Sequence, residues 1–407
     1  MQICIFEGIH HEQLEPLSFP RPVYNLISGI TNLKNKILRS YPGAKFTLHC
    51  RPYLIPFLKA KYPDVEINNI TDKECLFING RVLAPDNMGE IIPLDGGTDK
   101  LYVNHESIVA ARVSGKKLEE LRISMQDCLT EGDFDGLPIE KVDVKVINFV
   151  HELMTLNGQE LIRDFNYYVH CTDREKKMIK GTVYDGAYLV GKENIYIEEG
   201  AKVKPGVVID ATHGPVFIDR NAEIYPNASI EGPVYIGETA KVKSGATIYE
   251  NVSVGKISKV GGEIEDTVIF PYSNKQHSGF LGHAYLGSWV NIGADTNCSD
   301  LKNNYGPVKF YNNGDMINSG LQFLGLIMGD HSKTAINTMF NTGTIVGFSC
   351  NIFGAGFPAK YIPSFSWGGA DSITTYDIHK SIETAKRVLS RRNKEMLEAE
   401  EKLFHKI

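Results

Sequence analysis

The chain is defined first by what it lacks. No stretch of 18 apolar residues occurs in its 407 residues, so no helical membrane span is expected. The seven cysteines (Cys4, Cys50, Cys75, Cys128, Cys171, Cys298 and Cys350) are odd in number and scattered, with no CxxC and no Cys/His metal spacing. That pattern excludes a disulfide framework and fits reduced cytosolic thiols, with no metal site expected. A basic excess is missing too: 43 Lys and Arg stand against 49 Asp and Glu, for a net charge of −6. Nucleic-acid binding needs a basic footprint, so it is not expected, whereas small anionic metabolites need only a local cluster. Met1 leads directly into QICIFEG, which reads as a strand and lacks the charged-then-apolar layout of a signal peptide. A cytoplasmic location follows as an expectation.

A six-residue period is present instead. Aliphatic residues fall at Ile197, Val203 and Ile209. After the extra THG they resume at Ile218, Ile224, Ile230, Ile236, Val242, Ile248 and Val254. The phase is lost around KISKVGGEIED, returns at Leu286 and Ile292, and runs on through Met328, Thr334, Phe340, Val346 and Ile352. Six fits neither the 3.6 of a helix nor the 2 of a simple strand. It fits a parallel β-helix of hexapeptide units, three to a coil, with one inward aliphatic residue per unit and small residues at the corners.

The length calls for more than one domain. Residues 1–145 show strand runs (ICIF, KFTLHC, CLFING) and helical patterns at VYNLISGITNLKNKILRSY and RPYLIPFLKAKYP, an α/β layer with a parallel sheet; 84–145 read as irregular. Residues 146–182 read as a helical connector, 183–368 as the β-helix, and 369–407 as one long amphipathic helix with Thr374 and Asp377 as its capping box.

One stretch breaks the blandness of the repeat. SNKQHSGFLGHAYLGSWVNIGADTN, Ser273 to Asn297, holds His277 and His283 six apart and one of the two tryptophans. His277, Phe280, Leu281-Gly282 and Asn291-Ile-Gly-Ala resemble, without a gap, the acetyltransferase half of the bifunctional glucosamine-1-phosphate acetyltransferase/N-acetylglucosamine-1-phosphate uridyltransferase family. The resemblance covers roughly 230–360 and implies a left-handed β-helix, a homotrimer with sites between subunits, and acetyl-CoA as co-substrate. It makes His277 the general base, removing a proton from an amino sugar's amine. It gives Lys243 the sugar phosphate, Phe280 and Asn291 the sugar, and Asn304-Tyr305 the far side of the acceptor. It sets Ala294, Ile336 and Gly354 along acetyl-CoA, and backbone N–H groups near Gly293 or Gly282 toward the oxyanion. Three residues depart from the family pattern. Glu265 stands where it has a lysine, Phe280 where it has a tyrosine, and Ile336 where it has a small polar residue. A surface histidine beside a loop is the bland alternative for His277. His283 reads more readily as a corner residue or subunit contact, and Tyr285 and Trp289 as packing.

The first domain resembles sugar nucleotidyltransferases more loosely. PLSFPRPVYNLISG places Arg21 where that family has a phosphate-binding lysine. The Gly-rich triphosphate loop is missing, however, and CLFING ends in Gly80-Arg81 where the family has Gly-Asp for Mg²⁺. A cation cannot replace a carboxylate ligand, so Mg²⁺ enters only if other groups, such as Glu7, Glu12, Glu15 or Asp86, serve instead. Three readings stay open: an acyltransferase with a divergent nucleotidyltransferase domain, a sugar-1-phosphate nucleotidyltransferase with a purely trimerising β-helix, and a non-catalytic sugar-nucleotide binding protein.

Overall fold

In the computed structural model, which describes residues 1–105 and 107–407, the first domain is built on a seven-stranded mixed sheet. Its order is Glu66–Ile67, Phe46–Leu48, Gln2–Phe6, Glu74–Asn79, Ser107–Ser114, Lys100–Asn104, Ile139–Lys141. The first four strands are parallel, and Ser107–Ser114 runs against both its neighbours. Residues 84–145, expected to be irregular, thus supply three strands and the helix Gly115–Ser124. The short apolar run in SIVAARVS, buried on both faces, was the missed signal. The stretch from Val23 to Tyr41 also departs from the expected helix. It opens with a 3-10 turn and a short hairpin around Gly29, and only Leu33–Arg39 is helical. Asn32 caps that helix by accepting the Asn35 N–H.

The repeat folds into a left-handed parallel β-helix with three flat faces. Face I carries Lys202–Val203, Glu223–Ile224, Lys241–Val242 and Lys259–Val260; face II carries Val208–Asp210, Ser229–Glu231 and Thr247–Ile248; face III carries Val216–Ile218, Val234–Ile236 and Val252–Val254. The inward rows form one core from Ile195 to Ile362. Ile224 lies over Val242 and Val242 over Val260, eighteen residues apart, but Val260 lies over Lys275, fifteen residues on. That shortened coil is why the period slips around KISKVGG. Later, Leu286 pairs with Met328 and Cys298 with Phe340, forty-two residues apart, because a loop with the hairpin Lys309–Asn312/Asp315–Asn318 leaves the coil there.

Face III is apolar on its outside as well. IYI, VFI and VYI put Tyr196, Phe217 and Tyr235 outward, followed by Val268, Tyr285, Ile327 and Ile345. A strand apolar on both sides must be covered on both. Phe165 and Val169 cover the lower rows, and Leu14, Leu17, Val23 and Leu26 of the first domain cover the upper ones. The helical connector does form, as Val150–Thr155 and Asn157–Phe165. The C-terminal segment is two helices, Ile378–Ser390 and Glu398–Phe404, where one was expected. Asp377 caps the first by accepting from the Lys380 N–H, while Thr374 lies in a strand. These helices pack on Phe348 and Phe365 at the III/I edge. Face II and the I/II edge are left outside this packing.

Candidate functional site

The corners between faces I and II form a ladder up the side of the solenoid. The Gly261 N–H bonds the Lys275 carbonyl, Asp295 N–H that of Ser278, and Asn337 N–H that of Ala294. Each coil adds about 4.8 Å of height. Lys243, His277, Ala294, Ile336 and Gly354 therefore share one edge, with the Gly261 level lying between Lys243 and His277. His277 is exposed there, and Ile336 is 67% exposed. From inside the coil, the buried Lys275 ammonium donates to the carbonyls of His277 (2.6 Å), Ser278 (3.0 Å) and Gly261 (3.1 Å). Burial pushes its pKa down to about 8. Lys243 lies over the ring of Tyr225, 4.8 Å from its centroid. The Gly293 N–H is committed to the Thr334 hydroxyl at 2.8 Å and is not free for an oxyanion.

The remaining expected residues lie elsewhere. Phe280 stands outward on face II above Glu263. Asn291 bridges Asn274 and Lys333 on face I. It lines a basic pocket of about 260 Å³ with Lys259, Lys333, Arg391 and Arg392, beneath the C-terminal helices. Burial, then the neighbouring cations, lower the pKa of Lys259. Asn304 and Tyr305 sit on the inserted loop, which leaves the coil at the II/III edge, so one chain does not bring them to His277. Asn304 accepts the Gly306 N–H, and Tyr305 is 67% exposed.

Arg21 is at the III/I edge, where its guanidinium pairs with Asp330 and lies 4.5 Å from the Phe270 centroid. The pair borders a cavity of about 810 Å³ between the first domain, the solenoid and the C-terminal helices. Trp289, expected as packing, stacks on Tyr272 there at 4.2 Å. Lys61 reaches the same cavity, its pKa pushed down to about 8 by burial. Tyr285 is buried and exchanges hydrogen bonds with the backbone of Ile27.

At the carboxyl edge of the first sheet, Glu7 is wholly buried. Its oxygens accept from the Val23 and Arg51 N–H groups (2.9 and 3.2 Å) and from the Arg51 guanidinium (3.1 and 3.3 Å). Arg51 also donates to the carbonyls of Ser18 and Arg21. Asn79 is occupied by Ile108 and Arg81, and Arg81 binds Ile147 and Asn148. A Cβ on Gly80 would stand 2.9 Å from Tyr24, so this edge is closed by its own side chains. Asp86 pairs with Arg39 and Arg163, and burial with Glu12 nearby raises Glu15 to about 7. The donor set does not fit Mg²⁺ at the position where nucleotidyltransferases hold it, because no carboxylate there is free.

One cluster escaped the sequence reading. At the II/III edge His283 lies 2.8 Å from Asp300, 3.9 Å from Glu265 and 3.7 Å from Asp266. The signal was available, since Glu265, His283 and Asp300 follow one another at one-coil spacing.

Comparison with known proteins agrees with this organisation. Residues 3–171 match the family model described as sugar nucleotidyl transferase. The bifunctional sugar-1-phosphate nucleotidylyltransferase/acetyltransferase of Sulfurisphaera tokodaii is 31% identical over 91 residues, 22% of this chain and 23% of that protein. The bifunctional protein GlmU of Methanococcus aeolicus is 30% identical over 232 residues, 52% of each chain. That of Methanococcus maripaludis is 27% identical over 310 residues, 70% of this chain and 72% of its own. The first two relatives are thus spanned over 23% and 52% of their length. Among solved structures, the polySia-specific acetyltransferase NeuO is 17% identical with a TM-score of 0.28, covering 52% of this chain and 93% of that one. The Francisella novicida UDP-N-acetylglucosamine acyltransferase is 18% identical with a TM-score of 0.27, covering 52% and 71%. A 310-residue match cannot fit within either half of this chain. The chain is thus similar to bifunctional GlmU proteins over much of its length, with a region matching the sugar nucleotidyl transferase model joined to a left-handed parallel β-helix.

Proposed function

We propose that the chain transfers an acetyl or related acyl group from acyl-CoA to the amine of an amino-sugar phosphate or sugar nucleotide, at the I/II edge of a homotrimeric solenoid. The observation that carries this reading is the alignment of Lys243, His277, Ala294, Ile336 and Gly354 along one edge that the chain's own domains leave uncovered. In this reading Lys243 meets the acceptor phosphate, and the acyl-CoA lies along the upper levels past Ala294 and Ile336. Asn304 and Tyr305 reach the site from the neighbouring subunit.

The step balances simply. The acceptor nitrogen attacks the thioester carbonyl carbon, and the His277 imidazole takes the proton that the nitrogen loses. The C–S bond then breaks, and the departing thiolate takes that proton back from the imidazolium. One imidazole can both accept the proton and return it.

For the first domain we read recognition of a sugar phosphate or nucleotide, with the Glu7–Arg51 pair holding its edge closed. Pyrophosphate release from UTP and a sugar-1-phosphate that depends on Mg²⁺ would overturn this part.

The test is release of CoA thiol from acetyl-CoA with glucosamine-1-phosphate and other amino-sugar phosphates, for the full chain and for His277→Ala. Turnover lost in a folded His277→Ala protein is the expected result. Turnover retained in that variant, or absent from the wild type with every acceptor, would reject the assignment.

A further inference from the structure

The II/III edge holds a cluster that the acyl-transfer reading does not use. Asn251, Asp266 and His283 occupy the same corner in consecutive coils, all with positive φ (61°, 42° and 46°). The stacking directs their side chains at one another, and the Asn251 amide donates to Asp266 at 2.8 Å. His283 is clamped flat against Phe323, with ring centroids 5.0 Å apart and planes 21° apart. Asp300, itself buried, comes up to the ring because residue 282 is glycine. A Cβ there would stand 2.5 Å from the Asp300 Oδ2.

Charge sets the problem at this site. Three carboxylates, Glu265, Asp266 and Asp300, surround one imidazole. Even a protonated imidazole leaves an excess of two negative charges, and among the described residues no lysine or arginine forms an ion pair with any of the three. Partly buried carboxylates crowded in this way either take up protons or hold a cation.

We propose that Glu265, His283 and Asp300 bind one divalent first-row transition ion, with Zn²⁺ the favoured occupant. One ligand atom from each lies within 4.8 Å of the others. Three ligands about 2.0–2.2 Å from a tetrahedral zinc would sit roughly 3.3–3.5 Å from one another, so Asp300 would draw back from the imidazole by about half an ångström and Glu265 would close by a similar amount. The Nδ1 atom faces both Asp300 and Glu265, while Nε2 faces Asp266 at 3.7 Å. A proton on Nε2 directed at Asp266 leaves the Nδ1 lone pair for the ion, the usual division of labour in an imidazole ligand and its orienting carboxylate. The imidazole favours Zn²⁺ over Mg²⁺ or Ca²⁺, while the two carboxylates would also admit Mn²⁺ more weakly. Such an ion would staple three successive coils where the inserted loop leaves Asp300 for its excursion through Leu324.

The experiment uses the full chain, stripped with EDTA, incubated with ZnCl₂ or MnCl₂ and desalted, with metal measured by mass spectrometry and thermal unfolding followed in parallel. The wild type is expected to keep about one zinc per chain and to unfold at higher temperature with it. Glu265→Gln, a partly exposed change that a folded protein should accept, is expected to lose that zinc and the thermal gain. Asp266→Asn should weaken binding about 10–100-fold without abolishing it. Glu250→Gln, a neighbouring carboxylate outside the set, should bind as the wild type does. Equal zinc in the wild type and Glu265→Gln, or no uptake of either ion by the wild type, would overturn the proposal. Metal content is read independently of acyl transfer, so failure of one leaves the other standing.

Discussion

The Lys275 ammonium holds the His277 carbonyl at 2.6 Å from inside the solenoid, two residues before the histidine that the I/II edge presents to solvent. In the inward row of face I, Val242 and Val260 are followed by a lysine. The coil beneath His277 is short, its corner carbonyls turn inward, and the ammonium satisfies three of them. Polar groups in a core are tolerated on that condition.

A pH dependence follows. Burial lowers the Lys275 pKa to about 8, well below its value in the unfolded chain. Below pH 8 both states carry the proton, and the folded state bears the full cost of the buried charge. Between about pH 8 and 10 the folded state has lost the proton and the unfolded state still holds it, so stability rises with pH in that window. Lys275→Met lacks this term. Urea midpoints at pH 7.5 and 9.5 should therefore shift upward in the wild type relative to the variant. Parallel midpoints at both pH values would show that Lys275 is not desolvated.

Lys243 offers a kinetic test of the proposed acceptor geometry. A half-buried lysine acting as a point charge on phosphate contributes to binding in ground and transition states alike. Lys243→Ala should raise KM for a phosphorylated amino sugar about tenfold, roughly 1.4 kcal/mol, with kcat little changed. The KM for acetyl-CoA should stay put. A fall in kcat at unchanged KM would place Lys243 outside the phosphate grip.

The first domain is tied to the solenoid by a buried ion pair. Arg21 and Asp330 have side chains 11% and 5% exposed, on opposite sides of the junction. Removing one partner of such a pair leaves an uncompensated charge and costs about 3–5 kcal/mol. Asp330→Asn should lower the unfolding midpoint accordingly, whereas the double variant Arg21→Met/Asp330→Leu should regain much of it. Chemical denaturation monitored by Trp289 fluorescence, beside that junction, reads both. Equal losses in the single and double variants would mean that packing, not charge, dominates there.

The β-helix was legible because its inward rows repeat every six residues over most of their length, a period that few other architectures produce. The slip at KISKVGG was visible, but its cause, a fifteen-residue coil closed by Lys275, was hidden since lysine does not read as a core residue. Residues 84–145 were misread because no Gly or Pro in the sequence separates Lys100–Asn104 from Ser107–Ser114 to mark two strands. Local pattern placed Lys243, His277 and Ile336 in the chain without saying that they share an edge. Their common edge follows from coil spacing, and so does the His283 cluster. Arg21 looked like a phosphate ligand from its neighbours in sequence, yet its partner is Asp330, 309 positions away.

The uncovered surface predicts assembly. Tyr188, Val208 and Met339 on face II are 65%, 39% and 38% exposed, and Ile336 and Phe353 beside them are 67% and 38% exposed. Apolar side chains at the two ends of that flank, separated in the same outward row by Ser229, Thr247 and Glu263, offer contact points for another copy rather than for water. Val208→Asp combined with Met339→Asp should split the proposed trimer into monomers, read by light scattering after gel filtration. These side chains point away from the core, so the β-helix itself should keep its circular dichroism. Because the inserted loop with Asn304 and Tyr305 reaches His277 only from a neighbour in this reading, acyl transfer should fall with the trimer. A monomeric variant with full turnover would confine the site to one chain and remove that loop from it.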